Sequence, residues 1–309
     1  MRAPDHGSFI ASARQVAGGS QPIVYLFAMR RLIRLGIAVW ALIGALNIVS
    51  SAGAEEQVDV ALVIAVDVSR SMSPEELLIQ RKGYAAAIAS RDVVRAIELG
   101  PYGRIGLMMF EWANESHARE IVGWTVIESQ ADALAFAEQV LADSTYGQRR
   151  TSISGAIRSA TAFLEDVPYV ASRRVIDISG DGPNNQGFPV TQARDAAIER
   201  GLIINGLPLM TTGGAGFQFN IKDLDVYYRR CVIGGPASFV IPVNDWAQFP
   251  EAVRRKLILE IGGRVPERQR SFLLNSRSRS RMTVWSVRRS GSRCASSTTG
   301  TSRHPPEKR

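Results

Sequence analysis

The chain has 309 residues and a formal net charge of +8, but residues 1–54 carry +4, residues 55–263 carry −6 and residues 264–309 carry +10. The body is therefore acidic, and the net basicity gives no ground for reading it as a nucleic-acid binder. The two cysteines, Cys231 and Cys294, cannot build a multi-disulfide framework or a cysteine-rich metal site, and the body's single histidine, His117, leaves most Ser-His-Asp, Cys-His and histidine-zinc schemes without their parts.

In chain order, the first feature is Met29-Arg30-Arg31-Leu32-Ile33-Arg34-Leu35, then 14 mostly apolar residues from Gly36 to Val49, then Ser50-Ser51-Ala52-Gly53-Ala54. These are the basic, apolar and small-residue parts of a secretory signal peptide. The apolar part is shorter than the roughly 20 residues needed to span a bilayer. The reading is a periplasmic or secreted protein that starts at Met29, is cleaved after Ala54 and has no membrane span in its mature chain. Arg30-Arg31 leaves general and twin-arginine export both open.

The body alternates short apolar runs with amphipathic stretches, which predicts βα units around a mainly parallel sheet. Val58–Val66 reads as a central strand covered on both faces, because nearly every residue is apolar. Ser73-Pro74-Glu75-Glu76 places a capping serine, an N1 proline and a capping-box glutamate in order, so a helix runs to about Ala89. Ser90 caps a second, short helix to Leu99. Arg104–Phe110 is the next strand, with an edge strand at about Ala118–Trp124 and helices at Ser129–Leu141 and Ser152–Leu164. Strand Arg174–Ser179 closes on the turn-rich Gly180-Asp181-Gly182-Pro183-Asn184-Asn185. Helix Val190–Arg200 and strand Leu202–Leu207 follow, then a Gly-rich surface loop at Thr212–Gly216. A helix at Leu224–Arg230, a strand at Ser238–Pro242 and a helix at Asp245–Ile261 complete one doubly wound α/β domain over residues 55–263, with helices on both faces of the sheet. Cys231 reads as a small buried hydrophobe, and Trp112, Trp124 and Trp246 as packing residues. Residues 264–309 are Ser- and Arg-rich and short of core-forming side chains, so they read as a disordered tail.

Chemistry concentrates in three loops. Asp67, Ser69 and Ser71 form D-x-S-x-S directly after the first strand, Thr151 enters a helix, and Asp181 follows the strand ending at Ser179. If those strands are parallel neighbours, all three loops open at the carboxyl edge of the sheet, where ligands of doubly wound folds sit. Two carboxylates and three hydroxyls suit a hard divalent cation, Mg2+ above all, with Mn2+ or Ca2+ as alternatives. A cation so held seeks one more anionic oxygen. Singly, each residue also has a structural reading: Asp67 as a cap for the following helix, Thr151 as an N-cap, Asp181 as a turn residue held by Asn184 or Asn185.

Taken together, Asp67-Val68-Ser69-Arg70-Ser71, Thr151 and Asp181 resemble the metal-ion-dependent adhesion site of von Willebrand factor type A (VWA) domains. The resemblance covers about residues 58–261 and extends to exported bacterial VWA-like proteins. It implies a sheet with one antiparallel edge strand, direct or water-mediated contact of Asp67, Ser69, Ser71 and Thr151 with the metal, and contact of Asp181 mostly through water. It also implies a binding function, in which a protein partner offers an Asp or Glu carboxylate, with no nucleic acid involved and no catalysis. A metal-stapled scaffold and a metal-dependent hydrolase are the competing readings. Arg70, between the two serines, either narrows access to the site or itself contacts an anion.

Overall fold

The computed structural model describes residues 55–143, 146–211, 221, 223–263 and 294. The signal segment, the Gly-rich loop at 212–216 and the basic tail other than Cys294 lie outside them.

Strand β2 (Ala61–Asp67) is buried along its whole length, as its unbroken apolar run requires. It pairs in parallel with β3 (Ile105–Trp112) on one side and with β6 (Arg174–Gly180) on the other. Strand β7 (Ile203–Pro208) extends the sheet in parallel beyond β6, and β4 (Ala118–Ile127) runs antiparallel at the opposite edge. The order is β4-β3-β2-β6-β7, so the chain winds outward from β2 in both directions. This is the doubly wound α/β sheet with a single antiparallel edge.

Helices cover both faces. Leu62, Ile64 and Val66 of β2 face the apolar residues of α1 (Pro74–Ile88), α2 (Arg91–Glu98), α3 (Gln130–Ala142) and α7 (Phe249–Ile261). Ala61, Val63 and Ala65, the alternate residues, face α4 (Ile153–Glu165) and α5 (Val190–Glu199). That alternation is the period of two of a pleated strand, here apolar on both sides. Capping follows the sequence: Ser73 and Glu76 form the reciprocal capping box of α1, and Ser90, Ser129 and Ser152 each accept an amide at the start of their helices.

Several expected elements differ. Val58 is not part of the central strand: β1 (Gln57–Val58) pairs with β5 (Val170–Ala171) in a separate two-stranded ribbon. The break falls at Asp59, whose buried carboxylate accepts the Tyr102 amide at 3.0 Å while its own amide donates to the Arg104 carbonyl. Instead of a strand over Ser238–Pro242 there are isolated bridges, Gly206 to Val240 and Leu209 to Val243. Left-handed backbone at Gly235 (φ 89°) and Ala237 (φ 59°) bends the chain just before them, and the Phe239 amide donates to the Asn205 side chain at 3.0 Å. Helix α6 (Leu224–Tyr227) passes into a π-helical turn at Tyr228–Val232, and a 3-10 turn at Trp246–Gln248 leads into α7. Cys231 is buried as expected, but it is bonded to Cys294 rather than free. Among the described residues, no helix is long and apolar enough to cross a membrane.

Candidate metal centre

Strands β2 and β6 are adjacent and parallel, with Val66 opposite Ser179, so their carboxyl ends deliver Asp67 and Asp181 to the same edge. The Asp67 carboxylate turns back on its own loop and accepts the Ser69 amide at 2.7 Å through Oδ1. This local turn is what lets D-x-S-x-S present alternate side chains toward one point. Ser69 Oγ and Ser71 Oγ lie 2.9 Å apart, and Ser71 Oγ donates to Asp181 Oδ1 at 2.7 Å. Ser69 Oγ is 3.5 Å from the same oxygen. Four of the five expected residues are thus joined directly.

Thr151 is the fifth, buried in the neighbouring loop. It does not cap α4; that position belongs to Ser152. Its amide donates to Asn185 Oδ1 at 2.9 Å and its carbonyl accepts the Asn185 amide at 2.9 Å, so the Thr151 loop is clamped to the loop carrying Asp181. Asn184 adds a second clamp, accepting the Ser154 amide at 3.0 Å. The asparagines therefore hold the two loops to each other rather than holding Asp181. A third loop contact joins the first two: Arg70 N donates to Gln148 O at 2.7 Å, and Gln148 N to Val68 O at 2.8 Å.

The simple structural reading of Asp67 also fails, because Ser73 and Glu76 cap α1 without it. Gln80, on the second turn of α1, donates through Nε2 to the Asp67 carbonyl at 2.9 Å and fixes the strand end. Sequence reading missed Gln80 and the asparagine clamps. Gln80 carried a signal, as an uncharged polar residue on the helix face that also carries the buried Leu77 and Tyr84; the asparagines carried only that of a turn. Gly180 is required by close approach: a Cβ there would stand 2.9 Å from Asp67 Oδ2 and 2.8 Å from the Tyr228 hydroxyl. The Cβ position of Gly182 meets nothing within 4 Å.

The electrostatics are those of a site short of positive charge. Burial, and then the Asp181 carboxylate, pushes the Asp67 carboxyl well above its usual range. Burial also raises Asp181, against the stabilising hydrogen bond from Ser71, with the charge of Glu76 adding to the rise. Among the described residues, Asp67 Oδ2 is buried without a hydrogen-bond partner. A buried acceptor without a donor is unfavourable by about 1–3 kcal/mol, more if charged, so an oxygen-seeking cation fits these residues. They are hard oxygen donors without sulfur or imidazole; among the described residues there is no group of three or more His, Cys, Asp or Glu, here or elsewhere, so a cation at this cluster would rely on two carboxylates and on hydroxyls.

Fold and site together define a doubly wound α/β domain with an oxygen-donor cluster at the carboxyl edge of its central strands. The chain belongs to the family described as "Protein of unknown function (DUF1194)", which it matches over residues 57–265. No curated protein matches it in sequence. Among solved structures it is similar to a von Willebrand factor type A protein from Catenulispora acidiphila, with 17% identity over 67% of this chain and 43% of that one and a TM-score of 0.42. It is similar to the pilus adhesin SpaC from Lactobacillus rhamnosus GG, with 12% identity, 67% and 31% covered, and a TM-score of 0.49. It is also similar to proximal thread matrix protein 1 from the mussel byssus, described with a zinc-occupied MIDAS motif, with 13% identity, 66% and 46% covered, and a TM-score of 0.45. The chain spans less than half the length of each of these three.

Proposed function

We propose that this chain is an exported, metal-dependent protein-binding module that holds a divalent cation, Mg2+ foremost, on Asp67, Ser69, Ser71, Thr151 and Asp181. The observation that carries the reading is the joined cluster Asp67-Ser69-Ser71-Asp181 with the buried Asp67 Oδ2 left unpartnered. A cation bound there would supply an electrophilic centre for one further anionic oxygen, the carboxylate of a partner's Asp or Glu. The protein's part is to hold the donors: Gln80 fixes the end of β2, the Asn184 and Asn185 clamps fix the other two loops, and Gly180 leaves room for Asp67 Oδ2.

Binding rather than turnover is the better reading, because the cluster itself offers two carboxylates and hydroxyls and no histidine, and the nearby Glu76 carboxylate is engaged by the Ser73 amide and the Trp246 indole. Export is supported by the signal-like segment and by the Cys231–Cys294 disulfide, since such bonds persist in oxidising compartments outside the cytosol. The mature protein on this reading comprises the domain of residues 55–263 and the basic tail. Immobilised protein should capture a carboxylate-bearing peptide in Mg2+ or Mn2+ and release it on addition of chelator. An Asp181→Ala variant should not capture it. Capture that survives chelation would contradict the reading.

A further inference from the structure

The residues around the proposed centre gather three exposed arginines on two neighbouring segments. Arg70 stands between Ser69 and Ser71, and Arg149 and Arg150 immediately precede Thr151; all three are exposed. The paired backbone bonds between Val68–Arg70 and Gln148 lay these segments side by side, and the Arg70 stem passes 3.6 Å from the Cβ position of Gly147. Among the described residues, none of the three arginines forms an ion pair, a state that Lys82, Arg91, Arg95, Arg230 and Arg255 share elsewhere; here three such cations stand on two adjoining segments. Residues 55–263 carry a net −6, so three unpaired cations beside one site run against the trend of the surface. Arg150 is also held in the left-handed region at φ 76°, a conformation a non-glycine residue adopts only when its surroundings impose it.

Two exposed aromatics lie on the same loops. Tyr146, 74% exposed, precedes Gly147, and Phe188, 56% exposed, closes the loop that begins at Asp181, with the Arg158 guanidinium 5.4 Å from its ring centre. Arginine and large aromatics together are the composition of protein-binding surfaces, where the aromatics give contact area and the arginines give orientation.

We infer that the rim selects the partner: Arg70, Arg149 and Arg150 recognise a protein segment in which the cation-binding carboxylate is flanked by further Asp or Glu residues, with Tyr146 and Phe188 packing against its backbone and side chains. The inference rests on the proposed metal reading and adds the sequence character of the ligand. A long anionic polymer is the poorer candidate, because beyond the rim it would meet the acidic remainder of the domain. Of the two roles open to Arg70, the rim assigns it contact with an anion.

The test uses the full chain in Mg2+ with three probes: a peptide carrying four consecutive acidic residues, a peptide of equal length with one Asp, and inorganic polyphosphate. The inference predicts that the clustered peptide binds roughly tenfold more tightly than the single-Asp peptide, the product of two or three exposed charge pairs each giving a factor of about two to four. That advantage should shrink as salt rises. It should vanish in an Arg70→Ala/Arg149→Ala variant whose Mg2+ uptake, measured separately by calorimetry, is unchanged. Normal Mg2+ uptake with equal binding of the two peptides overturns the rim inference and leaves the metal reading standing. Absent Mg2+ uptake in folded wild-type protein overturns the metal reading itself, and this inference with it. Polyphosphate displacing the clustered peptide at equal charge concentration overturns the assignment to a protein segment.

Discussion

The D-x-S-x-S element was legible residue by residue because its logic is local: a carboxylate that turns onto the amide two residues ahead aims the next hydroxyls toward the same point, and the structure shows that turn at Asp67 and Ser69. Asp181 was legible because it ends an apolar run. The asparagine clamps were not, since their partners are backbone groups 30 and 34 residues away and no local pattern announces them; Gln80, with a backbone partner 13 residues away, carried only the mark of a polar residue on a buried helix face. Gly83 shows the same limit in the core. Read along α1, a mid-helix glycine invites replacement by alanine, a gain of about 1 kcal/mol in helix propensity. In the fold, a Cβ at Gly83 would stand 2.4 Å from Cδ1 of Phe249, a ring that is fully buried against Tyr84. Overpacking of a rigid buried ring is destabilising by about 1–3 kcal/mol. Gly83→Ala should therefore lower the chemical-denaturation midpoint despite its better propensity, and a raised midpoint would show that Phe249 moves aside freely.

At the scale of elements, most helices and strands follow from capping serines and apolar runs, and the failures share one cause. The expected strands at Val58 and Ser238–Pro242 are apolar enough, but buried side chains of Asp59 and Asn205 take hydrogen bonds from the backbone nearby and divert the ladder. The last helix shows a related polar burial. Lys256 and Glu260 of α7 are both fully enclosed against β6 and β7, where the Lys256 ammonium lies 2.6 Å from Asp177 and 2.5 Å from Glu260, and Asn205 donates to Glu260 at 3.0 Å. One ammonium faces two carboxylates, and burial followed by the Asp177 charge raises Glu260 to about 8. Its folded pKa is above the unfolded value, so folded protein retains a proton that the unfolded chain has lost between pH 4.5 and about 8. The stability this contributes is fully present below pH 4.5 and declines as pH rises through that window. Glu260→Gln keeps the neutral form at all pH values. Denaturation midpoints at pH 5, 6.5 and 8 should fall more steeply in the wild type, by a difference on the order of 1–3 kcal/mol across the range; parallel profiles would place the ionised carboxylate in the native core.

At the scale of the molecule, the mainly parallel character of the sheet follows from the alternation of strands and helices, because parallel strands need helical crossovers that cover both faces; the single antiparallel edge was implied only by the family resemblance, and the order β4-β3-β2-β6-β7 emerges from the structure. The Cys231–Cys294 bond did not follow: the two cysteines are 63 residues apart, and a pairing at that distance is decided by the path of the chain rather than by either cysteine's neighbours. The same separation of scales explains the candidate site. Asp67, Ser69, Ser71 and Asp181 come from two loops over a hundred residues apart, and only the adjacency of β2 and β6 makes them one cluster, with the Thr151 loop clamped beside it. On the proposed reading this cluster is a cation site. Calorimetric titration of Mg2+ and Mn2+ into the wild-type protein and an Asp67→Ala variant, both shown to be folded, tests it most directly. The expected result is saturable one-site binding in the wild type that is lost in the variant. A folded wild type that takes up neither ion, or a variant that binds as well as the wild type, would contradict it.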